Sequence, residues 1–130
     1  MKTGESAEMY LETILILSKK NTDVRSVDIV NQLEYSKPSV SVAMKNLREG
    51  GYILMDINGY ITLTPTGLEI AQSMYERHTI ITNWLMLLGV SRDTAVQDAC
   101  KMEHVISEES FSAIKKFLAE KQGAAGAEVK

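Results

Sequence analysis

Apolar residues recur every three or four positions over residues 6–20, which predicts an amphipathic helix at the start of the chain. Two shorter segments with the same spacing follow, residues 27–33 and 38–49, and the brief connection "EYSK" separates them. Because proline is tolerated in the first turn of a helix, Pro38 predicts that the second of these segments begins there. A double glycine ends that segment. The pattern predicts three helices, of which the second and third are joined by a tight turn.

Beyond the double glycine the pattern changes to short strands. "YILMD" and "YITLT" flank the pair Asn58-Gly59, which is a hairpin signal. Helical spacing then returns in three further segments. A short helix, a turn, a helix and a hairpin form a winged helix-turn-helix. The sequence therefore predicts a mainly α protein, in which a winged helix-turn-helix DNA-binding domain (residues 1–73) is followed by a helical domain (74–122) and a flexible tail (123–130).

Composition narrows the class of protein without naming a function. The chain has 130 residues, a formal net charge of -3 and one cysteine, so an intramolecular disulfide framework is excluded and a reducing compartment is favoured. Trp84–Leu88, the longest apolar run, is too short to cross a bilayer, and the first ten residues have no apolar signal region. We expect a cytoplasmic protein that does not associate with membranes.

The third predicted helix has a local excess of positive charge. Residues 36–48 include three cations and no acid, and basic side chains beside a groove neutralise DNA phosphates. The first turn of a recognition helix reaches base edges or phosphates, where short hydroxyl side chains act as donors. A solvated helix with a few lysines is the alternative. The predicted DNA-contacting residues are Ser36, Lys37, Pro38, Ser39, Ser41, Val42, Lys45 and Arg48.

"DACKMEHVIS" places three metal-ligand types on one predicted helix. Cys100, Glu103 and His104 stand at i, i+3 and i+4, so one helical face carries a thiol, a carboxylate and an imidazole. One helix supplies only part of a coordination sphere, and His78 and the i, i+3 pair of Met9 and Glu12 are the candidates to complete it. A packed cysteine beside a solvated Glu-His pair is the alternative.

A catalytic interpretation of Cys100 and His104 needs more than the two side chains. A cysteine nucleophile requires oxyanion donors and a group that orients its base, and no glycine-rich loop or orienting partner stands out in the sequence. We therefore expect no enzymatic activity.

Four segments together resemble the diphtheria toxin repressor family, including its manganese transport regulators. They are "AEMYLETILIL", "VSVAMKNLREGGYI", "LTPTGLEIAQSMYERH" and "DACKMEHVIS", and the resemblance runs from about Ala7 to Lys116. It implies a helical metal-binding and dimerisation domain after the winged helix-turn-helix, in the short, two-domain type. It also implies a metal-dependent repressor of metal-uptake genes that binds operator DNA as a homodimer.

The resemblance also assigns ligands by position. Met9, Cys100, Glu103 and His104 match the principal site of the iron-type members. His78 matches a histidine of both branches, and Glu12 matches a bridging glutamate of the manganese-type site.

The sequence departs from each branch at two positions. The manganese branch has an aspartate at Met9 and a glutamate at Cys100. The ancillary site of the iron branch has a histidine at Val96 and a glutamate at Thr82, so a complete ancillary site is not expected. Because sulfur ligands disfavour Mn²⁺, we expect Fe²⁺ first and Mn²⁺ second. The alternative function is a metal-independent winged-helix regulator that senses a small molecule.

Overall fold

The computed structural model describes residues 4–21 and 23–129, with side chains as far as residue 122. Its elements are α1 (Glu5–Lys20), α2 (Ser26–Leu33), α3 (Lys37–Glu49), β1 (Ile53–Met55), β2 (Ile61–Leu63), α4 (Pro65–Leu87), α5 (Arg92–Val105) and α6 (Glu108–Val129). The predicted fold class is therefore confirmed. The chain divides into two compact units, one up to Met74 and the other from Tyr75, and α4 contributes residues to both.

The core of the first unit forms where the apolar faces of α1, α2 and α3 meet. Leu11 and Ile14 of α1, Ile29 of α2 and Val40 of α3 have no solvent exposure. Full burial of a side chain of this size contributes roughly 1.5–3 kcal/mol. The helical spacing of these residues thus explains why three short helices, each marginal alone, are stable together.

A three-residue turn separates α2 from α3. Glu34 ends α2 in the left-handed conformation (φ 58°), and its N–H donates to the carbonyl of Val30. Ser36 caps α3 by accepting a hydrogen bond from the N–H of Ser39 (3.2 Å), and Pro38 lies in the first turn as predicted. This short connection fixes α3 against α2.

The hairpin after α3 is antiparallel, with Leu54 paired with Thr62 at its centre. Its turn depends on Asp56, whose carboxylate accepts from the N–H groups of Asn58 and Tyr60 (both 2.9 Å). Gly59 has a φ of +82°, which glycine adopts without strain. The Asn58-Gly59 signal therefore marks a real hairpin, and the aspartate two residues earlier organises its loop.

Thr64 and Gly67 attach the start of α4 to the base of the hairpin. The Thr64 hydroxyl donates to the carbonyl of Gly51 (2.7 Å) and accepts from the N–H of Gly67 (3.1 Å). A Cβ at position 67 would collide with the carbonyl oxygen of Tyr52. The sequence "LTPTG" is thus explained by a cap, a proline in the first turn and a close backbone approach.

The second unit consists of the C-terminal half of α4 with α5 and α6. Gly89, with a φ of +101°, ends α4, and the N–H of Val90 donates to the carbonyl of Leu85 (3.0 Å). Its buried apolar residues are Ile81, Ala95, Ala99, Phe111 and Leu118. Among the described residues, no helix combines the length and apolarity needed to cross a membrane. The backbone of α6 is helical to Val129. The sequence predicts a flexible tail at residues 123–130, and the side chains of these residues lie outside the described part of the structure.

Candidate metal centre and nucleic-acid interface

The eight residues predicted to contact DNA are all exposed in the first unit. On α3, Lys37, Ser41 and Lys45 recur every four positions and form one outward stripe, which Arg48 extends. The opposite face is buried through Val40 and its neighbours one and two turns later. The arrangement gives α3 a face for packing and a separate face available for phosphates.

The exposed face of α3 and the hairpin enclose a shallow groove of about 300 Å³, lined by Ser41, Val42, Met44, Lys45, Arg48 and Met55. Val42 is 59% exposed, a position from which an apolar side chain reaches a thymine methyl in a major groove. Ser36 and Ser39 use their hydroxyls in the helix cap, with the Ser36 hydroxyl donating to that of Ser39 (2.8 Å). The cap therefore presents these two serines in a fixed geometry.

Glu103 is the most unusual polar residue of the second unit, because its side chain is fully buried. One of its oxygens, Oε1, accepts a hydrogen bond from Nδ1 of His78 at 3.1 Å, across from α5 to α4. A carboxylate is expensive to remove from water unless it is paired or binds a cation. A neutral histidine that donates through Nδ1 keeps the Nε2 lone pair for a metal ion. A buried carboxylate with an imidazole beside it could hold a cation.

His104 adds a second imidazole to this cluster. It is half-buried, and one of its ring nitrogens lies within 4.8 Å of a carboxylate oxygen of Glu103. Cys100, one turn earlier on α5, is exposed. The structure therefore places His78 and His104 each beside Glu103, whereas Cys100 on the same helix is exposed.

Arg77 holds the end of α5 in place beside this cluster. Its guanidinium donates to the carbonyls of Glu103 (3.2 Å) and Ile106 (2.8 Å) and pairs with the Glu108 carboxylate (3.0 Å). It also lies over the ring of Phe111, 5.2 Å from the centroid. The last carbonyls of a helix have no partner within the helix, so Arg77 both satisfies them and fixes the turn that carries the candidate ligands.

The two remaining predicted ligands lie one turn apart on α1, in the first unit. Glu12 is buried, with 7% of its surface exposed, and Met9 is half-buried. The sulfur of Met9 accepts a hydrogen bond from the hydroxyl of Tyr35 (3.6 Å). A buried carboxylate and a thioether on one helical face are a donor pair of the kind that the sequence predicts.

Two positions bear on a second site. Thr82 is buried one turn after His78, and among the described residues its hydroxyl has no hydrogen-bond partner. Val96, half-buried on α5, offers no donor atom. Neither residue supplies the charged or imidazole ligand that an ancillary site would need.

Sequence reasoning overlooked Arg77 and Tyr35. The only signal for Arg77 was its place directly before His78 in "YERH", and Tyr35 stands inside the connection "EYSK". Neither position suggests a contact with residues 26 or more positions away.

Comparison with known families matches both parts of the chain. The N-terminal DNA-binding domain of iron-dependent repressors matches residues 2–61, and the metal-binding and dimerisation domain of iron-dependent repressors matches residues 64–122. Transcriptional regulator MntR of Escherichia coli O6:H1 is 38% identical over 120 residues, which are 92% of this chain and 77% of that protein.

Two further relatives are longer than this chain. Diphtheria toxin repressor of Corynebacterium diphtheriae is 28% identical over 106 residues, 81% of this chain and 47% of that protein. The solved structure of the manganese regulator SloR is similar with a TM-score of 0.78 and 29% identity, covering 92% of this chain and 55% of that one. The chain thus spans about half the length of these two proteins. It belongs to the iron-dependent repressor family of metal-dependent transcriptional regulators.

Proposed function

We propose that the protein is a cytoplasmic repressor that binds double-stranded operator DNA as a homodimer when it holds Fe²⁺ or Mn²⁺. The main support for this proposal is the fully buried carboxylate of Glu103. It accepts a hydrogen bond from Nδ1 of His78 and lies beside His104. This cluster falls inside the part of the chain that matches a metal-binding and dimerisation domain. Oxygen and imidazole donors of this kind suit divalent first-row metals, so the donor set fits the ion.

The proposed ligands are Glu103, His104 and Cys100 on α5 and Met9 on α1, with His78 and Glu12 available to a second, weaker position. When bound, the ion supplies positive charge that compensates the buried carboxylate. Met9 and Glu12 belong to the helix that packs against α2 and α3, so their participation would order the winged helix-turn-helix. In this proposal the metal-loaded protein has its reading helices preorganised for DNA.

The identity of the metal depends on the two sulfur ligands. Thiolate and thioether ligands favour Fe²⁺ and later metals over Mn²⁺, which prefers oxygen. The similar structure described as a manganese regulator supports Mn²⁺ instead. We propose Fe²⁺ as the preferred ion and Mn²⁺ as the second.

Operator binding at controlled metal content tests the function. Duplexes selected from a random library with the metal-loaded protein should bind at least tenfold more weakly after chelation, and binding should return on anaerobic addition of Fe²⁺ or Mn²⁺. Equal affinity with chelator and with metal would instead support the metal-independent regulator.

An exchange of ligands tests the choice of ion. The double variant Met9→Asp with Cys100→Glu replaces sulfur by oxygen and should shift the ratio of Fe²⁺ to Mn²⁺ affinity toward Mn²⁺ by about tenfold or more. Glu109→Gln, an exposed change on α6, serves as the matched control and should leave the ratio unchanged. An unaltered ratio in the double variant would contradict the sulfur ligation.

A further inference from the structure

One hydrogen bond links a proposed metal ligand to the turn before the reading helix. The Tyr35 hydroxyl donates to the sulfur of Met9 at 3.6 Å, and the Tyr35 ring meets that of Tyr10 edge-on with centroids 6.1 Å apart. Tyr35 is 41% exposed, so this contact is held by the hydroxyl and one ring edge and not by burial.

Tyr35 occupies the middle of the three-residue connection between α2 and α3. Glu34 before it is left-handed, and Ser36 after it caps α3. Lys37, the first residue of α3, is two positions away and exposed. If the Tyr35 hydroxyl changes its hydrogen-bond partner, the position of the N-terminal end of α3 changes with it. In a helix-turn-helix, this end of the helix faces the DNA.

We propose that Tyr35 is a positioning residue that couples the Met9 sulfur to DNA binding; this inference rests on the proposed function. In the structure, the Tyr35 hydroxyl donates its hydrogen bond to the Met9 sulfur. A Met9 sulfur that coordinated a metal ion would be a poorer hydrogen-bond acceptor, because electron density would leave the sulfur. The Tyr35 hydroxyl would then be available to donate to a DNA phosphate near Lys37, because backbone phosphates are common acceptors for tyrosine hydroxyls.

Opposite effects on two affinities distinguish this role from a merely structural one. Tyr35→Phe keeps the ring and removes the hydroxyl that competes for Met9. We expect metal affinity to rise about two- to fivefold, the scale of one exposed hydrogen bond. Operator affinity of the metal-saturated variant should fall by a similar factor, since a phosphate donor is lost. A change of both affinities in the same direction, or of neither, would overturn the proposal.

A second measurement needs no metal. In the metal-free protein, Tyr35→Phe should shift the ε-methyl carbon resonance of Met9, which the Met9→Leu variant assigns by its disappearance. Tyr10→Phe is the matched control, because it removes a hydroxyl from the other ring of the pair, and it should leave both affinities unchanged at neutral pH. A Met9 resonance that does not respond to Tyr35→Phe would exclude the hydrogen bond.

A double-mutant cycle separates failure of this inference from failure of the proposed function. In the Met9→Leu background, Tyr35→Phe should no longer raise metal affinity. Full metal affinity in Met9→Leu, with operator binding still metal-dependent, would overturn the coupling and leave the proposed function intact. Loss of metal dependence in the parent protein would overturn the proposed function itself.

Discussion

The polar groups of the two candidate sites differ in their exposure to solvent. They are exposed on α3, whereas the central carboxylate of the histidine–glutamate cluster in the second unit is buried. Every predicted DNA-contacting residue of α3 is exposed, whereas the Glu103 side chain has no exposure and accepts a hydrogen bond from His78. Exposed cations bind a polyanion through counterion release and need little fixed geometry. A metal site needs ligands held at defined distances, and burial provides that rigidity. One chain therefore combines an exposed basic face with a buried carboxylate that is flanked by two partly buried histidines.

The largest expected effect tests the buried cluster. Glu103→Gln keeps the volume of the side chain and removes the charge that a divalent ion requires. We expect metal affinity, measured by anaerobic calorimetry, to fall by about 100-fold or more, with loss of metal-stimulated operator binding. The dimer and the thermal midpoint of the metal-free protein should be retained, because the glutamine keeps an amide oxygen that can accept the hydrogen bond from Nδ1 of His78. Unchanged metal affinity would remove Glu103 from the site.

Arg77 tests whether the cluster depends on fixed geometry. Arg77→Lys keeps one charge and loses the planar fork that contacts two carbonyls and Glu108. We expect metal affinity to fall about tenfold and the visible spectrum of the Co²⁺-substituted protein to change. Glu108→Gln, which alters only the exposed end of the pair, should change the spectrum far less. Identical Co²⁺ spectra in Arg77→Lys and the parent would show that the α5 end does not depend on the guanidinium.

Lys45 and Arg48 test the exposed face. Each change to alanine should lower operator affinity several-fold at 0.1 M salt (roughly the range for one lost phosphate contact) and reduce the salt slope by about one. Metal affinity should remain unchanged. Lys20→Ala, an exposed cation on α1, is the control. Parental salt slopes in both variants would refute the phosphate assignment.

The smallest effect concerns a buried ionisable group of the first unit. Burial raises the pKa of Tyr10 above its ordinary value of 10.0, and neighbouring Tyr35 adds to the shift. Above about pH 10 the unfolded chain loses the Tyr10 proton while the folded protein retains it. The free energy of unfolding should therefore decrease as the pH rises through this range. Urea titrations between pH 8 and 11 should show a shallower decrease in Tyr10→Phe, and an identical decrease would contradict the assignment.

The order of elements was predictable because its signals are local. Each signal involves only a few neighbouring residues, so the helices and strands can be predicted from local sequence. These signals are the apolar spacing, Pro38, the Asn58-Gly59 pair and Gly89. Ligand types on α5 followed from helical spacing in the same way. The loop chemistry of Asp56 was not anticipated, since its carboxylate contacts depend on the final path of the hairpin.

The sequence by itself determined which donor types share one turn of α5, because i, i+3 and i+4 positions are neighbours on any helix. Only the tertiary structure decided that Glu103 is buried while Cys100 is exposed. Glu103 lies on the side of α5 that contacts α4, and Cys100 does not. The contacts of Arg77 and Tyr35 were decided in the same way. They join residues at least 25 positions apart, and spacing along a chain carries no information about which residues so far apart meet.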